Sequence, residues 1–228
     1  MNSVAIDLSN QGVAELQCGN IVQSFQLLTK AARIVVEGLH NHSHVDALKS
    51  TFRFHWEDCA EAGVTTSSPT TLLAQGHTTP WEGSVPFLYL RALRITYSGQ
   101  TADVDELCAC GYAWAIWFNL ALCSCIIGSR LGEKGKRLLE VSFEMYTKVQ
   151  RRIESEPSSK HWDLLQMAVL NNLACIYRDA GKQDNMHRCL NELGRVVLLG
   201  SPTVEDSLKT SFRLSLQILG NSVVAPCA

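Results

Sequence analysis

Apolar residues recur every three to four positions along most of this chain, the spacing that places them on one face of an α-helix. Between residues 3 and 39 the pattern predicts two helices, separated at Cys18-Gly19-Asn20. From Asp103 onward it is helical throughout, and Asp103 itself, with Glu106, resembles a capping box. The fold class predicted is therefore all-α, with further helices at about 134–153, 160–180 and 182–198.

Two stretches are less regular. FRFHWEDC (52–59) ends a predicted helix over about 45–59 and is interpreted as an amphipathic helix that packs Phe52 and Trp56. PFLYLRALRITY (86–97) fits a strand as well as a helix, and its two arginines favour a partly exposed extended segment. Between them, residues 60–86 are rich in Thr, Ser, Gly and Pro, a composition that predicts a flexible linker.

The last predicted helix covers residues 202–219 and caps the fold. Gly200 closes the helix before it, Ser201 is a candidate N-cap, and Pro202 suits the first helical position. Its apolar residues form one stripe: Val204, Leu208, Phe212, Leu216 and Leu219. The chain is thus divided into an N-terminal helical unit (1–59), the linker (60–86) and a helical repeat region (87–228), within one structural domain.

Three windows of the sequence resemble one another: NQGVAELQCG (10–19), NLALCSCIIG (119–128) and NLACIYRDAG (172–181). Each begins with Asn, carries Gly or Ala two residues later, and ends with Gly. The small residue permits a neighbouring helix to approach, and the final Gly is expected to end the helix in a left-handed turn. A second amphipathic helix follows each window, which predicts three helix hairpins.

These windows resemble the tetratricopeptide repeat. The best match is LLQMAVLNNLACIYRDAGKQDNMHRCLNEL, in which Leu173, Ala174, Tyr177 and Gly181 fall on the family pattern. More loosely, the whole arrangement looks like divergent tetratricopeptide-like proteins of diatoms. The last two windows begin 53 residues apart, whereas the family repeat has about 34, and Met186 replaces a small residue. The resemblance implies a short, irregular solenoid of stacked hairpins that acts in protein–protein interaction or as a scaffold.

The stretch Leu107–Ser129 contains 23 residues and no formal charge, and it admits two interpretations. About 20 such residues can cross a bilayer, so a single-span membrane protein is one alternative. Asn119 in mid-segment argues against it, because an unpaired amide is costly in lipid. The aligned third window carries Arg178 and Asp179 and cannot span a membrane. We therefore favour a buried helix of a stack, apolar on all sides.

Composition excludes several classes of protein. The chain has 228 residues and a net charge of −2, so nothing in its charge favours nucleic acid or anionic lipid as a partner. The N-terminal residues lack the pattern of a secretory signal. Nine cysteines scattered through apolar stretches indicate reduced thiols in the cytoplasm or nucleus.

Candidate chemistry is sparse. His40, His42 and His44 could bind a metal ion, but they lack partners at recognised spacing, and a solvated helix end explains them better. The Cys-x-Cys pairs at 108–110 and 123–125 fit small core residues rather than a zinc site. No nucleophile elbow or phosphate-binding loop occurs in the sequence. We therefore expect no enzyme activity, no cofactor and no resident metal.

The resemblance places the binding surface on the concave face of the repeats, where the family holds a peptide or a partner helix. The repeat phase assigns to that face, in the second and third windows, Phe118, Leu122, Cys125, Ile126, Asn171, Cys175, Arg178 and Asp179. This surface is largely apolar and predicts an apolar ligand. One hypothesis is that residues 86–97 of the same chain lie along the second window, because both surfaces are apolar; the alternative is that they form another core helix.

Overall fold

A computed structural model of the chain describes residues 2–39, 52–57, 92–97, 111–155 and 163–199, and the helical positions 209–210, 212–214 and 216–217. In chain order the elements are α1 (Asn2–Gln17), α2 (Ile21–Leu39), β1 (Phe52–Glu57), β2 (Ala92–Tyr97), α3 (Gly111–Leu131), a 3₁₀ turn (Gly132–Gly135), α4 (Lys136–Ser155), α5 (Asp163–Asp179) and α6 (Gln183–Leu199). The helical fold class is confirmed: all the described elements except one two-stranded ribbon are helices.

The chain divides into two compact units. Unit 1 comprises Met1–Thr66 and Leu90–Met145, and unit 2 comprises Ser67–Tyr89 and Tyr146–Ala228. The division falls inside α4, after Met145. Within unit 1, α3 packs with α1 and α2. Each unit is described by itself below.

In unit 1, α1 and α2 form a hairpin and α3 packs against both helices. The hairpin turns at Gly19, whose φ of 82° lies in the left-handed region, as the first window predicts. Ser24 of α2 contacts Cys123 of α3, with 3.2 Å between the hydroxyl oxygen and the sulfur. The core that these three helices share includes, among its fully buried side chains, Leu16, Leu28, Ile116 and Leu122.

The interpretation of residues 52–59 as a helix is wrong. Residues 52–57 form strand β1, which pairs antiparallel with β2 so that Phe54 lies opposite Ile95 and Trp56 opposite Leu93. Apolar and polar residues alternate in FRFHWE, which is the period of a strand, and the helical interpretation overlooked it. The pairing partner of Phe54, Ile95, lies 41 residues further along the chain, so no local pattern could reveal the pairing. The ribbon is the exception to the all-α prediction.

The expected left-handed turn at the end of the second window is also wrong. α3 continues past Gly128 to Leu131, and the residue with positive φ is Gly132, at 57°. Gly128 and Gly135 instead allow their main chains to approach closely. A Cβ on Gly135 would collide with the Gly128 carbonyl oxygen, and a Cβ on Gly128 would lie 3.0 Å from the Gly135 carbonyl oxygen. The α3–α4 connection is thus a tight 3₁₀ turn that only glycine permits at these two positions.

In unit 2, α5 and α6 form the third predicted hairpin. It turns at Gly181, whose φ is 68°, as the third window predicts. Ala174 and Cys175 of α5 pack with Met186 and Leu190 of α6 in a buried cluster, and Leu216 lies against it. Met186 fills the position where the repeat family has a small residue, and it is fully buried. The described positions between 209 and 217 are helical, within the predicted capping helix 202–219.

Several predictions lie outside the described residues. These are the linker over 60–86, the metal candidates His40, His42 and His44, the pair Cys108 and Cys110, the capping box at Asp103, and most of the capping helix.

Candidate functional site

The side chain of Asn119 holds the main chain of β2. Its Oδ1 accepts a hydrogen bond from the Leu93 N–H at 2.7 Å, and its Nδ2 donates one to the Leu93 carbonyl, also at 2.7 Å. Asn119 lies in the middle of α3 and is fully buried. The amide that argued against a membrane span is therefore completely paired within unit 1.

Asn10 of α1 makes the same pair of bonds two residues further along the strand. Its Oδ1 accepts from the Ile95 N–H at 2.9 Å, and its Nδ2 donates to the Ile95 carbonyl at 2.8 Å. Asn10 and Asn119 are the first residues of the first and second repeat windows. The residue type that marks the repeat thus has a common role in these two windows, and sequence reasoning did not assign it one.

We call this pair, Asn10 and Asn119, the asparagine clamp. In an extended chain, residues i and i+2 direct their N–H and C=O groups to the same edge. β1 pairs with β2 along one edge, so Leu93 and Ile95 present their main-chain groups to the opposite edge, where the clamp takes the place of a third strand. A side-chain amide matches a peptide group in donor and acceptor, so the clamp recognises an extended main chain irrespective of its side chains.

Four of the predicted partner-binding residues lie in α3: Phe118, Leu122, Cys125 and Ile126, and Cys125 is 3% exposed. Phe118 and Leu122 are fully buried, and Ile126 is 6% exposed. The structure places them in the interior, not on an open groove. The hypothesis that residues 86–97 lie along the second window agrees with the position of the part that is described: β2 contacts α3 as well as α1, and Ala92, Leu93 and Ile95 are buried.

α3 also bears on the membrane alternative. Among the described residues it begins the one helical run that is long and apolar enough to span a bilayer, and 78% of its most apolar window is buried inside the protein. Burial of that extent is what the core helix of a folded domain shows. Such a helix is weak support for a span, because core helices meet the same criteria of length and composition.

The other four predicted partner-binding residues lie in or next to the α5–α6 hairpin. Asn171 and Cys175 are fully buried, and Cys175 belongs to the cluster between the two helices. Arg178 donates hydrogen bonds to the carboxylate of its neighbour Asp179, from Nη2 at 2.9 Å. Burial raises the pKa of Asp179, and the bond from Arg178 opposes this effect.

Unit 2 contains a groove of about 590 Å³ between the last turns of α4 and the α5–α6 hairpin. On α5 it is lined by Leu170, Leu173 and Tyr177, one position away from the phase that sequence reasoning assigned. Cys175, which sequence reasoning assigned to the binding face, lies instead with Ala174 in the buried cluster between α5 and α6. We call this feature the unit 2 groove.

Charged and polar side chains surround the apolar floor of the unit 2 groove. α4 contributes Gln150, Arg151 and Glu154, and α6 contributes, among others, Arg188, Glu192 and Arg195. Arg195 is bonded to Glu192 through two nitrogens, which lowers the pKa of that carboxyl. Burial raises the pKa of the Tyr177 phenol, and the positive charges of Arg188 and Arg151 oppose it. Both guanidinium groups therefore act on the groove from its two sides.

Cys189 is a partly buried thiol whose pKa is raised. Partial burial raises its pKa to about 11, Glu154 adds to the rise, and Arg188 opposes it. The five cysteines that the structure describes, Cys18, Cys123, Cys125, Cys175 and Cys189, are all free thiols. Across the described ranges no three His, Cys, Asp or Glu side chains lie close enough together to hold a metal ion. Cys123 and Cys125 are buried in α3, in keeping with their interpretation as small core residues.

No protein-family model, no curated protein and no solved structure is significantly similar to this chain.

Proposed function

We propose that this protein is a protein–protein interaction or scaffold module, with the irregular tetratricopeptide-like repeats as its framework. The asparagine clamp is the observation that carries the proposal. Two helices of the array each hold the main chain of one extended segment at alternate residues, through four hydrogen bonds of 2.7 to 2.9 Å. A partner peptide in extended form would be held on the same pair of asparagines, in the place that β2 occupies.

The physical basis is main-chain recognition on a rigid support. Asn119 is fully buried in a helix and Asn10 is partly buried, so their side chains are already ordered before a peptide binds. When a segment leaves the clamp, the side-chain oxygens of the two asparagines lose their donors and the side-chain nitrogens lose their acceptors, and a new extended segment satisfies all four groups. Protein is therefore the partner class proposed, and nucleic acid is not, since the net charge is −2. The free thiols support a reducing compartment, and we propose the cytoplasm.

The test uses the full-length chain carrying Leu93→Pro and Ile95→Pro. Proline removes the N–H groups that bond to Asn119 and Asn10, so β2 is released. A fluorescein-labelled peptide of residues 90–98, LRALRITYS, is then titrated and followed by anisotropy. We expect it to bind the double variant at least tenfold more tightly than the wild-type chain, whose clamp is occupied. Circular dichroism verifies that the variant keeps its helices.

Two modified peptides serve as matched controls. Methylation of the nitrogens equivalent to Leu93 and Ile95 removes both donors to the clamp and is expected to abolish binding. Methylation of the nitrogen equivalent to Arg94, which faces the opposite edge, is expected to leave binding to the clamp measurable. Equal binding of both methylated peptides, or no binding of the plain peptide to a folded variant, contradicts the proposal.

A further inference from the structure

The charged residues that line the unit 2 groove are three arginines and two glutamates, so the net charge of its lining is +1. Arg151 and Arg188 are exposed on opposite walls, and neither has a salt-bridge partner within the part of the chain that the structure describes. Glu154 lies one turn from Arg151 on α4, but it accepts a hydrogen bond from Gln150 Nε2 at 2.9 Å instead. The third arginine of the groove, Arg195, is bonded to Glu192. The unmatched charge at this groove is positive in a protein whose net charge is negative.

Gln150 supplies a second, independent observation. It is 8% exposed and lines the groove. Because the atom that bonds the Glu154 carboxylate must be the donor, the other atom of the amide is the carbonyl oxygen. That oxygen is buried and has no hydrogen-bond partner among the residues that the structure describes. A buried acceptor without a donor costs free energy, so a ligand that brings an N–H to this point gains by satisfying it.

The floor of the groove is apolar, so a ligand needs an apolar group to contact it. Leu170 and Leu173 of α5 form it, and the ring of Tyr177 continues it. A ligand that fits all three features has an anionic group, an N–H donor and an apolar side chain, and a peptide with acidic and apolar residues provides all three. Nucleic acid fits poorly, because Glu154 and Glu192 share the walls and would repel a run of phosphates.

We propose that the unit 2 groove binds an acidic–apolar peptide segment of a partner protein. A Glu or Asp side chain of the partner lies between Arg151 and Arg188, its main-chain N–H donates to Gln150 Oε1, and a neighbouring apolar side chain packs on Leu170 and Leu173. This inference goes beyond the asparagine clamp and rests on other residues, all of them in unit 2.

The test uses the full-length wild-type chain and two acetylated, amidated peptides, LELELE and LQLQLQ, labelled with fluorescein. The pair differs only in charge, since Gln replaces Glu with the same shape. In 25 mM salt we expect the Glu peptide to bind at least tenfold more tightly than the Gln peptide, and in 250 mM salt we expect the ratio to shrink. The double variant Arg151→Gln/Arg188→Gln is expected to lose the preference for the Glu peptide.

A matched variant separates this site from general electrostatics. Arg213→Gln removes the same charge from an exposed position of unit 2 that does not line the groove, and it should leave the preference unchanged. All three arginines are exposed, so we expect the variants to unfold at the wild-type temperature.

The proposal is overturned if the Glu and Gln peptides bind equally, or if Arg213→Gln loses the preference for the Glu peptide to the same extent as the double variant. Tighter binding of a labelled RNA hexamer than of the Glu peptide also overturns it. The released-strand experiment in unit 1 involves none of these arginines, so either proposal can fail alone.

Discussion

Asn119 and Asn172 stand at the same position of two similar sequence windows, yet they have different partners. In unit 1, Asn119 bonds both main-chain groups of Leu93 in an extended strand. In unit 2, Asn172 donates from Nδ2 to the Tyr146 hydroxyl at 3.1 Å, which joins α5 to α4. Both side chains are fully buried. One residue type at one position of the sequence window therefore bonds to a strand in one unit and to a neighbouring helix in the other.

The comparison shows what a buried asparagine in a helix repeat requires. Its amide must find a donor and an acceptor, because an unpaired polar group in the interior is costly. Unit 1 provides them by drawing a distant strand against α1 and α3. In unit 2 the buried Tyr146 hydroxyl of α4 accepts from Asn172 Nδ2, and Asn171 Nδ2 donates to Asn172 Oδ1 at 3.4 Å. In each unit, an element packed against the helix supplies a hydrogen-bond partner for the buried amide: β2 in unit 1 and α4 in unit 2.

The largest expected effect comes from replacing these two asparagines. Asn119→Leu keeps the size of the side chain but leaves the N–H and the C=O of buried Leu93 without partners, at about 1–3 kcal/mol each. We expect a loss of about 2–6 kcal/mol in the free energy of unfolding, measured by urea denaturation. Asn172→Leu removes the bond to the Tyr146 hydroxyl and the weaker one from Asn171 Nδ2, and it is expected to cost about 1–3 kcal/mol.

Hydrogen exchange makes this comparison sharper. In Asn119→Leu the amide proton of Leu93 should exchange faster, while in Asn172→Leu it should keep its wild-type protection. Equal losses of stability in the two variants, with the Leu93 amide still protected in both, would contradict the role of Asn119 as a clamp on β2.

The turns of the two units provide the next comparison. Gly135→Ala places a Cβ 2.0 Å from the main-chain carbonyl oxygen of Gly128, so the backbone of the α3–α4 turn must shift. We expect a loss of at least about 3 kcal/mol. Gly181→Ala in unit 2 meets no atom within 4 Å, and only its φ of 68° is unfavourable, which costs about 1 kcal/mol. Thermal melts of the two variants measure the difference, and equal shifts would show that contact is not what sets the cost at Gly135.

The smallest expected effect concerns two thiols. Cys18 of unit 1 is exposed, whereas burial raises the pKa of Cys189 in unit 2 from 9.0 to about 11. At pH 8 the shift reduces the thiolate fraction of Cys189 about 100-fold, so iodoacetamide should modify Cys18 first, as mass spectrometry of the peptides can show. Rapid modification of Cys189 at that pH would show that the thiol is not protected.

The sign of the accompanying stability effect follows from the raised pKa. Because the folded state holds the Cys189 proton more tightly than the unfolded state does, the stability it contributes is complete below about pH 9 and is lost as the pH rises through about 11. Tyr177 adds a loss in the same direction, since its pKa is also raised. Cys189→Ala should therefore reduce, without abolishing, the fall in unfolding free energy between pH 8 and pH 11.

Much of the helical structure was predictable from local pattern. The break at Gly19, the hairpin turn at Gly181 and the three helices α4 to α6 fall within a few residues of their predicted ends, because hydrophobic period and a left-handed glycine are local properties. The exception, FRFHWE, has a strand period over only six residues. The preceding residues of the sequence have a helical spacing of apolar positions, so these six were interpreted as the end of the same helix.

The candidate sites were less predictable, for two physical reasons. Which residues line the unit 2 groove depends on which face of α5 packs against α6. A shift of one residue along the helix separates the predicted lining from the observed Leu170, Leu173 and Tyr177. The repeat phase assigned Phe118 and Leu122 to a binding face, but both apolar side chains are buried in the interior. Their contact with a partner stays a prediction, as do the solenoid arrangement and the repeat identity.

By itself, the sequence determined where the helices lie, which glycines could turn the chain, and that Asn119 would need a polar partner if buried. Only the tertiary structure decided what that partner is. Asn10 and Ile95 are 85 residues apart along the chain, and Asn119 and Leu93 are 26 apart. A hydrophobic period reports which face of a helix is buried, but it contains no information on which distant segment covers that face. The hydrogen bonds between packed elements of the tertiary structure identify that segment.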